Sequence, residues 1–377
     1  MKCVVSVAEI DAVRLLSPDG TFAPTAAAEQ YLPFIEDLTE AELRQFYRDM
    51  VVIRRFDTEA ANLQRQGQMA LWPPSHGQEA AQVGSARAAK RQDHIFPAYR
   101  EHAVGMIRGL DLINVIRSMR GLTHGGWDPK ETNNFHLYTL VIGSHTLHAT
   151  GYAMGIQFDG DTATGNPETD QAVMVYFGDG ATSQGDVNEA MVFAASYQTP
   201  QVFFLQNNHW AISVPVSRQS RTPLYLRAAG FGIPSVQVDG NDVLATYAVT
   251  RKHLTDARSG NGPALIEALT YRIGAHTTSD DPTKYRTDEE LNSWIARDPI
   301  TRFKAYLAGQ GFEQKVFDEV DEEAADFASE TRRRTLELTD IPATAIFRNV
   351  YSEPHPLMQE QGAWLASYEA SFEGDAQ

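Results

Sequence analysis

The chain has 377 residues, with 32 Lys+Arg against 49 Asp+Glu, a formal charge of −17 and a pI near 5.0, which argues against nucleic acid as a partner. Hydrophobic residues make up 42% and aromatic residues 10%, enough to build a large core and too many for disorder. The single cysteine, Cys3, excludes a disulfide framework and a thiolate metal cage and suits a cytoplasmic protein, while no secretory pattern and no run of ~20 apolar residues points to a membrane.

Taken in chain order, residues 1–37 hold Pro24, Pro33 and few helical repeats, and read as an extended arm. Thr39 with Glu42 forms a capping box for a helix that carries Leu43, Phe46, Tyr47, Met50 and Val51 and runs past Phe56. An Ala-rich helix is expected over 78–91, preceded by Ser75 and Gly77, and an amphipathic helix over 110–119. Residues 121–138 are a loop by composition, long enough to be functional. The apolar run 172–177 reads as a buried strand, Asp186 as the cap of the following helix, and 202–206 as a second buried strand, giving parallel strands joined by a right-handed crossover. Two further strands, 236–238 and 264–268, flank a helix over 243–258 that Asp242 starts, and the sequence after Thr301 is charged and mostly helical. The fold class is α/β: a doubly wound, mainly parallel sheet flanked by helices over 38–300, with the arm 1–37 before it and a helical tail 301–377 after it.

The chemistry gathers at strand ends. Gly178-Asp179-Gly180 closes the first strand and Asn207-Asn208 the second, with 26 residues between these two motifs. Parallel strands open on a common crevice at their carboxyl ends, where the next helix presents free N–H groups. Gly180, Ala181 and Thr182 can offer N–H groups to a diphosphate, and Asp179, Asn208 and the Trp210 carbonyl are hard oxygen ligands suited to Mg²⁺. Competing motifs fail on spacing: Ser183 stands where GxGxxG needs its third glycine, GK[ST] is absent, and Ala163 and Thr164 occupy key places in the calcium-like stretch 159–168. A tight turn with a helix cap would account for 178–180, though not for Asn207-Asn208 beyond it.

GDG, 26 residues and NN make up a thiamin-diphosphate signature, and YFGDGATSQGDVNEAMVFAA, LQNNHWAIS, VDGNDVLATY and EALTYRIGAHTTSDDPTKYRTDEE extend the match over about 38–311. The chain resembles the alpha subunits of the decarboxylating component of 2-oxoacid dehydrogenase complexes, and looks closer to the branched-chain than to the pyruvate enzymes. The resemblance implies thiamin diphosphate and Mg²⁺ as cofactors, held by Asp179, Asn208 and the Trp210 carbonyl at the metal and by Gly180, Ala181 and Arg100 at the diphosphate. It places Tyr99 before that arginine, Ile142 under the bent cofactor, the Leu140 backbone at the aminopyrimidine, and His276 at the reactive centre as the catalytic residue. One departure is Gln206, where branched-chain relatives carry an arginine.

The implied reaction is oxidative decarboxylation of a 2-oxoacid with reductive acylation of a lipoyl group on a dihydrolipoamide acyltransferase. The implied partner is a beta subunit in an α₂β₂ assembly, without which the chain is catalytically incomplete. Thr277 is the counterpart of a regulated hydroxyl in mammalian relatives, but a phosphate beside Asp280 and Asp281 meets like-charge repulsion, so an unphosphorylated loop is expected. Two alternatives remain: pyruvate as substrate, and, from another class, a magnesium-dependent phosphate-ester hydrolase using Asp179, Asn208 and His276 directly.

Overall fold

The computed structural model describes residues 12–123 and 126–373. The expectations on Cys3 and its neighbours lie outside these residues, as do His124 and Gly125 of the 121–138 loop.

The capping box forms as its residue types require. The Thr39 hydroxyl accepts from Glu42 N at 3.3 Å, and the Glu42 carboxylate accepts from Thr39 N at 2.8 Å, starting α1 (Glu40–Arg65). Its stripe of Phe46, Tyr47, Met50, Ile53 and Phe56 is buried. The Ala-rich α2 (Glu79–Ala88) is buried almost all round and stops short of residue 91, because the Asp93 carboxylate takes Lys90 N at 2.7 Å. After it come β1 (His94–Phe96), α3 (His102–Ile107), α4 (Ile113–Met119), α5 (Ser144–Asp159), β2 (Val173–Gly178), α6 (Gly185–Tyr197) and β3 (Gln201–Asn207). A small antiparallel hairpin, β4 (Trp210–Ala211) and β5 (Val214–Pro215), leads to the short α7 (Val216–Gln219) and α8 (Leu226–Ala229). Then follow β6 (Ser235–Asp239), α9 (Val243–Arg258), β7 (Ala264–Leu269), α10 (Asp288–Ile295), α11 (Pro299–Gly309), α12 (Gln314–Leu336) and α13 (Pro356–Glu373).

Five strands make one sheet in the order β1-β2-β3-β7-β6, all parallel. Both of its faces are covered, so its strands are continuous apolar runs whose alternate residues join different cores. Met174, Tyr176, Val202, Phe204 and Ile266 pack with α1, α2 and α9, whereas Val173, Val175, Phe177, Phe203 and Leu205 pack with α5 and α6. Each phenylalanine buried this way contributes roughly 1.5–3 kcal/mol. The doubly wound α/β architecture is thus present, with Gly178 of β2 level with Gln206 of β3 at the carboxyl edge.

The arm is not extended throughout. Residues 26–34 form a 3₁₀ helix with Ala28 and Tyr31 buried, and the preceding residues lie on the sheet edge. Val13 adds a parallel bridge to Val238, and the Asp242 carboxylate accepts from Leu15 N and Leu16 N at 2.7 and 2.6 Å while also capping α9. Nor is everything after residue 301 a tail. Helix α12 lies along α1, with Phe317 edge-on to Tyr47 at 5.2 Å and Arg44 paired with Glu319 at 2.8 Å. Only α13 stands apart, packed on residues 343–347 with Trp364, Tyr368 and Phe372 exposed.

Candidate active site

At the end of β2 the chain makes a 3₁₀ turn over Asp179–Ser183 before α6. Thr182 Oγ1 donates to the Asp179 carbonyl at 2.7 Å, and Arg227 donates to the Thr182 carbonyl at 2.8 Å, which fixes the turn. Gly180 is needed here because a Cβ would stand 2.8 Å from the Ala211 Cβ, so its absence lets β4 close over the turn. Asp186 is not the helix cap. The inserted 3₁₀ turn makes extended Gln184 the N-cap, without a side-chain bond, and Asp186 sits in the first turn, where its charge complements the helix dipole.

At the end of β3 the two asparagines divide their work. Asn207 Nδ2 donates to Glu267 Oε1 at 2.7 Å and binds β3 to β7. Asn208 faces the crevice, its Nδ2 donating to Gln78 Oε1 at 3.1 Å and its Oδ1 accepting from Trp210 N at 3.3 Å. His209, in the left-handed region at φ 70°, turns the chain so that the Trp210 carbonyl meets Arg272 Nη1 at 2.9 Å. Asp179 is 2% exposed and accepts from Gln219 Nε2 at 2.9 Å. Burial pushes its carboxyl up to about 6, so a cation among these oxygens would restore its charge. A carboxylate, an amide oxygen and a carbonyl on one crevice wall are donors of the hard type that Mg²⁺ takes.

Arg100 and His276 meet across the crevice. Arg100 Nη2 donates to the His276 carbonyl at 3.1 Å and lies 3.3 Å from Nδ1, while Arg272 Nη1 is 3.4 Å from the same nitrogen. Guanidinium groups only donate, so His276 Nδ1 is the acceptor and its proton sits on Nε2. Burial, followed by the charges of Arg100 and Arg272, pushes this imidazole down to about 4 and keeps it neutral. The Tyr99 ring stands edge-on to it at 6.4 Å. In the following loop, Asp280 accepts from His276 N at 2.8 Å and from the Tyr285 hydroxyl at 2.5 Å, and the Thr277 hydroxyl accepts from Ser279 N at 3.3 Å.

These residues line one crevice of about 300 Å³ at the carboxyl ends of β2 and β3. Tyr99, Arg100, Ile142, Asp179, Gly180, Ala181, Asn208, Trp210 and His276 all contribute to its wall; Leu140 does not, and is exposed two residues before Ile142. Gln206 donates from Nε2 to the buried Glu101 carboxylate at 2.7 Å, so at the departure position a neutral amide faces an acid whose pKa burial has raised.

Four wall residues carry a buried polar atom with no protein partner: Gln78 Nε2, His145 Nδ1, Gln206 Oε1 and Arg272 Nε. Such atoms are costly unless a ligand or water meets them. Of these residues, the sequence pointed only to Gln206. Gln78 and His145 belong to no motif, Arg272 lay unread inside TYRIG, and Gln219, outside the wall, reaches Asp179 only through the hairpin fold.

Residues 47–335 match the dehydrogenase E1 component family. The 3-methyl-2-oxobutanoate dehydrogenase subunit alpha of Mycobacterium tuberculosis is 45% identical over 355 residues, covering 94% of this chain and 93% of the relative. The pyruvate dehydrogenase E1 component subunit alpha of Acholeplasma laidlawii is 39% identical over 328 residues, 86% of this chain and 92% of the relative. That of Bacillus subtilis is 38% identical over 294 residues, 76% and 77% of the two chains.

Proposed function

This chain belongs to the dehydrogenase E1 component family, and from that premise we propose that it is the alpha subunit of a branched-chain 2-oxoacid dehydrogenase, acting with thiamin diphosphate. The observation that carries the reading is the crevice itself: two guanidinium groups, a glycine-bearing turn and three hard oxygens converge on one space whose wall holds unpaired buried donors and acceptors. Bound thiamin diphosphate supplies the carbanion and the electron sink for decarboxylation.

In this reading Asp179, Asn208 and the Trp210 carbonyl hold Mg²⁺, and the N–H groups of Gly180 and Ala181 with Arg100 receive the diphosphate. Arg272 braces the Trp210 carbonyl and adds a second positive charge. His276, neutral with its proton on Nε2, is a donor at the reacting centre, and Tyr99 orients it. Ile142 backs the cofactor from the mouth, with the Leu140 backbone beside it.

The mouth also supports a partner. Ile212 on the wall, and Leu140 and Val141 just before the wall residue Ile142, are 54%, 69% and 70% exposed, apolar surface suited to a beta subunit that completes the site in an α₂β₂ assembly. A lipoyl-bearing acyltransferase takes the acyl group in the same scheme. Among the described residues no helix is long and apolar enough to cross a membrane. A cytoplasmic location belongs to this proposal.

The relatives named for 3-methyl-2-oxobutanoate are more similar than those named for pyruvate, which favours the branched-chain substrate. The family match leaves the phosphate-ester hydrolase without support. The test is decarboxylation by the chain co-expressed with its beta subunit, with thiamin diphosphate and Mg²⁺. Faster turnover of 3-methyl-2-oxobutanoate than of pyruvate is expected. A pyruvate preference would overturn the substrate, and turnover by the isolated chain would overturn the partner.

A further inference from the structure

Asp57 lies on α1, away from the crevice, and is 3% exposed. All its hydrogen-bond donors are neutral N–H groups on a single segment. Oδ1 accepts from Trp72 Nε1 at 2.7 Å, both oxygens share Ser75 N at 3.2 and 3.1 Å, and Oδ2 accepts from His76 N at 3.1 Å. A buried carboxylate without a cation in contact is expensive, and burial has raised its pKa to about 7. The segment just before α2 is therefore held by an acid 15 to 19 residues upstream on another helix, where a local cap from Ser75 would have been cheaper.

The other side of this segment, residues 72–78, holds the site. The Pro74 carbonyl accepts from Arg100 Nη1 at 2.5 Å. Trp72 exchanges two bonds with Thr278, N to Oγ1 and O from N, each 3.0 Å, which ties down the loop after His276. The His76 carbonyl accepts from Ile273 N at 3.0 Å, and the Gly77 carbonyl accepts from Thr270 Oγ1 at 2.7 Å. Gly77 is at φ +97°, where a Cβ would stand 2.2 Å from the Tyr271 carbonyl, so the segment is seated directly on the stretch that leads from β7 to His276. Gln78 reaches Asn208. Trp72 is fully buried and stacks on His102 at 4.5 Å, and His102 Nε2 donates to the Pro73 carbonyl at 3.0 Å, so the segment cannot relax toward α3.

We propose that Asp57 is a positioning residue: by gripping residues 72–78 it sets Arg100 and the His276 loop in place before any ligand arrives, without touching ligand itself. This rests on the reading that Arg100 and His276 line the diphosphate crevice. Asparagine at position 57 turns an NH₂ toward a backbone N–H, so one donor of the segment loses its acceptor.

The test uses the complex assembled with its beta subunit and compares wild type with Asp57→Asn, Trp72→Phe and, as a control, Asp93→Asn, which breaks a buried ion pair to Arg258 remote from the segment. Tryptic cleavage after Lys284 and Arg286 without cofactor reads the loop, titration with thiamin diphosphate reads the crevice, and thermal unfolding reads global stability. Asp57→Asn is expected to raise loop cleavage and weaken cofactor affinity by about tenfold each, with the 2-oxoacid KM at saturating cofactor unchanged. Trp72→Phe moves both readouts the same way by less, and the double variant is no worse than Asp57→Asn alone. Asp93→Asn lowers the melting temperature and moves neither.

If Asp57→Asn fails to assemble, Trp72→Phe decides by the same two readouts. Unchanged loop cleavage and affinity, or changes that track stability as in Asp93→Asn, would overturn the proposal. A wild-type complex that binds no thiamin diphosphate would instead refute the cofactor reading, with the cleavage comparison still deciding the role of Asp57.

Discussion

The ends of β2 and β3 and the segment 72–78 meet at the same crevice but reach it differently. The strand ends place Asp179, Gly180 and Asn208 by local rules: an apolar run, a glycine where the next element presses close, and a polar residue just beyond the sheet. The segment 72–78 has no helix or strand of its own, and beyond two local bonds, Gly77 N to Glu79 and Gln78 N to the Ser75 carbonyl, it is placed by distant groups: Asp57 and His102 on one side, Arg100, Thr270 and Thr278 on the other. The first region supplies oxygens and N–H groups that line the crevice, and the second bonds to Arg100 and to the loop after His276 on its other wall. Variation in the first should therefore abolish binding, whereas variation in the second should loosen it.

The sharpest break of that contrast is Asp179→Ala, which removes the single carboxylate of the oxygen set. Decarboxylation by the assembled complex should fall about a thousandfold or more, the scale of several kcal/mol of lost charge stabilisation, with the fold retained by circular dichroism. Arg100→Ala comes next, since its guanidinium both faces the crevice and rests on Pro74. Cofactor affinity measured by titration should weaken by roughly ten- to a hundredfold, and lysine should rescue it only in part because the fork geometry is lost.

On the framework side, Tyr138→Phe removes the hydroxyl that donates to His102 Nδ1 at 2.8 Å and leaves a buried acceptor unpaired. About 1–3 kcal/mol of stability should be lost in denaturant unfolding, with little change in kcat at saturating cofactor.

The smallest effect concerns pH. Burial pushes His102 down to about 3 from 6.5, so below 6.5 the unfolded chain takes up a proton that the folded chain refuses. The contribution is present above pH 6.5 and lost as pH falls toward 3, by at most about 1.4 kcal/mol per pH unit. Melting of the ligand-free complex should therefore fall more between pH 7 and 5 in wild type than in His102→Gln, and equal slopes would contradict the depressed imidazole.

The same contrast explains what could be read from the sequence. The capping box at Thr39, the Asp242 cap of α9 and the four long strands follow from local residue types, and the structure forms them within a residue or so of the expected bounds. Asp179 and Asn208 were legible because the turn chemistry and the spacing sit together on adjacent parallel strands. Gln78, His145 and Arg272 were not, since nothing local distinguishes them from surface or core residues until the fold brings them to the wall. The 3₁₀ helix over 26–34 and the β4–β5 hairpin were missed because their short lengths leave no periodicity, and the place of α12 along α1 is a tertiary fact. Asp186 was misplaced as a cap because a five-residue 3₁₀ turn precedes α6.

In the proposed function the crevice at the ends of β2 and β3 takes a divalent cation and a diphosphate. Calorimetric titration of the assembled complex with thiamin diphosphate, with and without Mg²⁺, in wild type and in Asp179→Asn, tests it most directly. Saturable binding is expected in wild type, dependent on Mg²⁺ and lost in Asp179→Asn. Equal affinity in the variant, or binding indifferent to Mg²⁺, would contradict it.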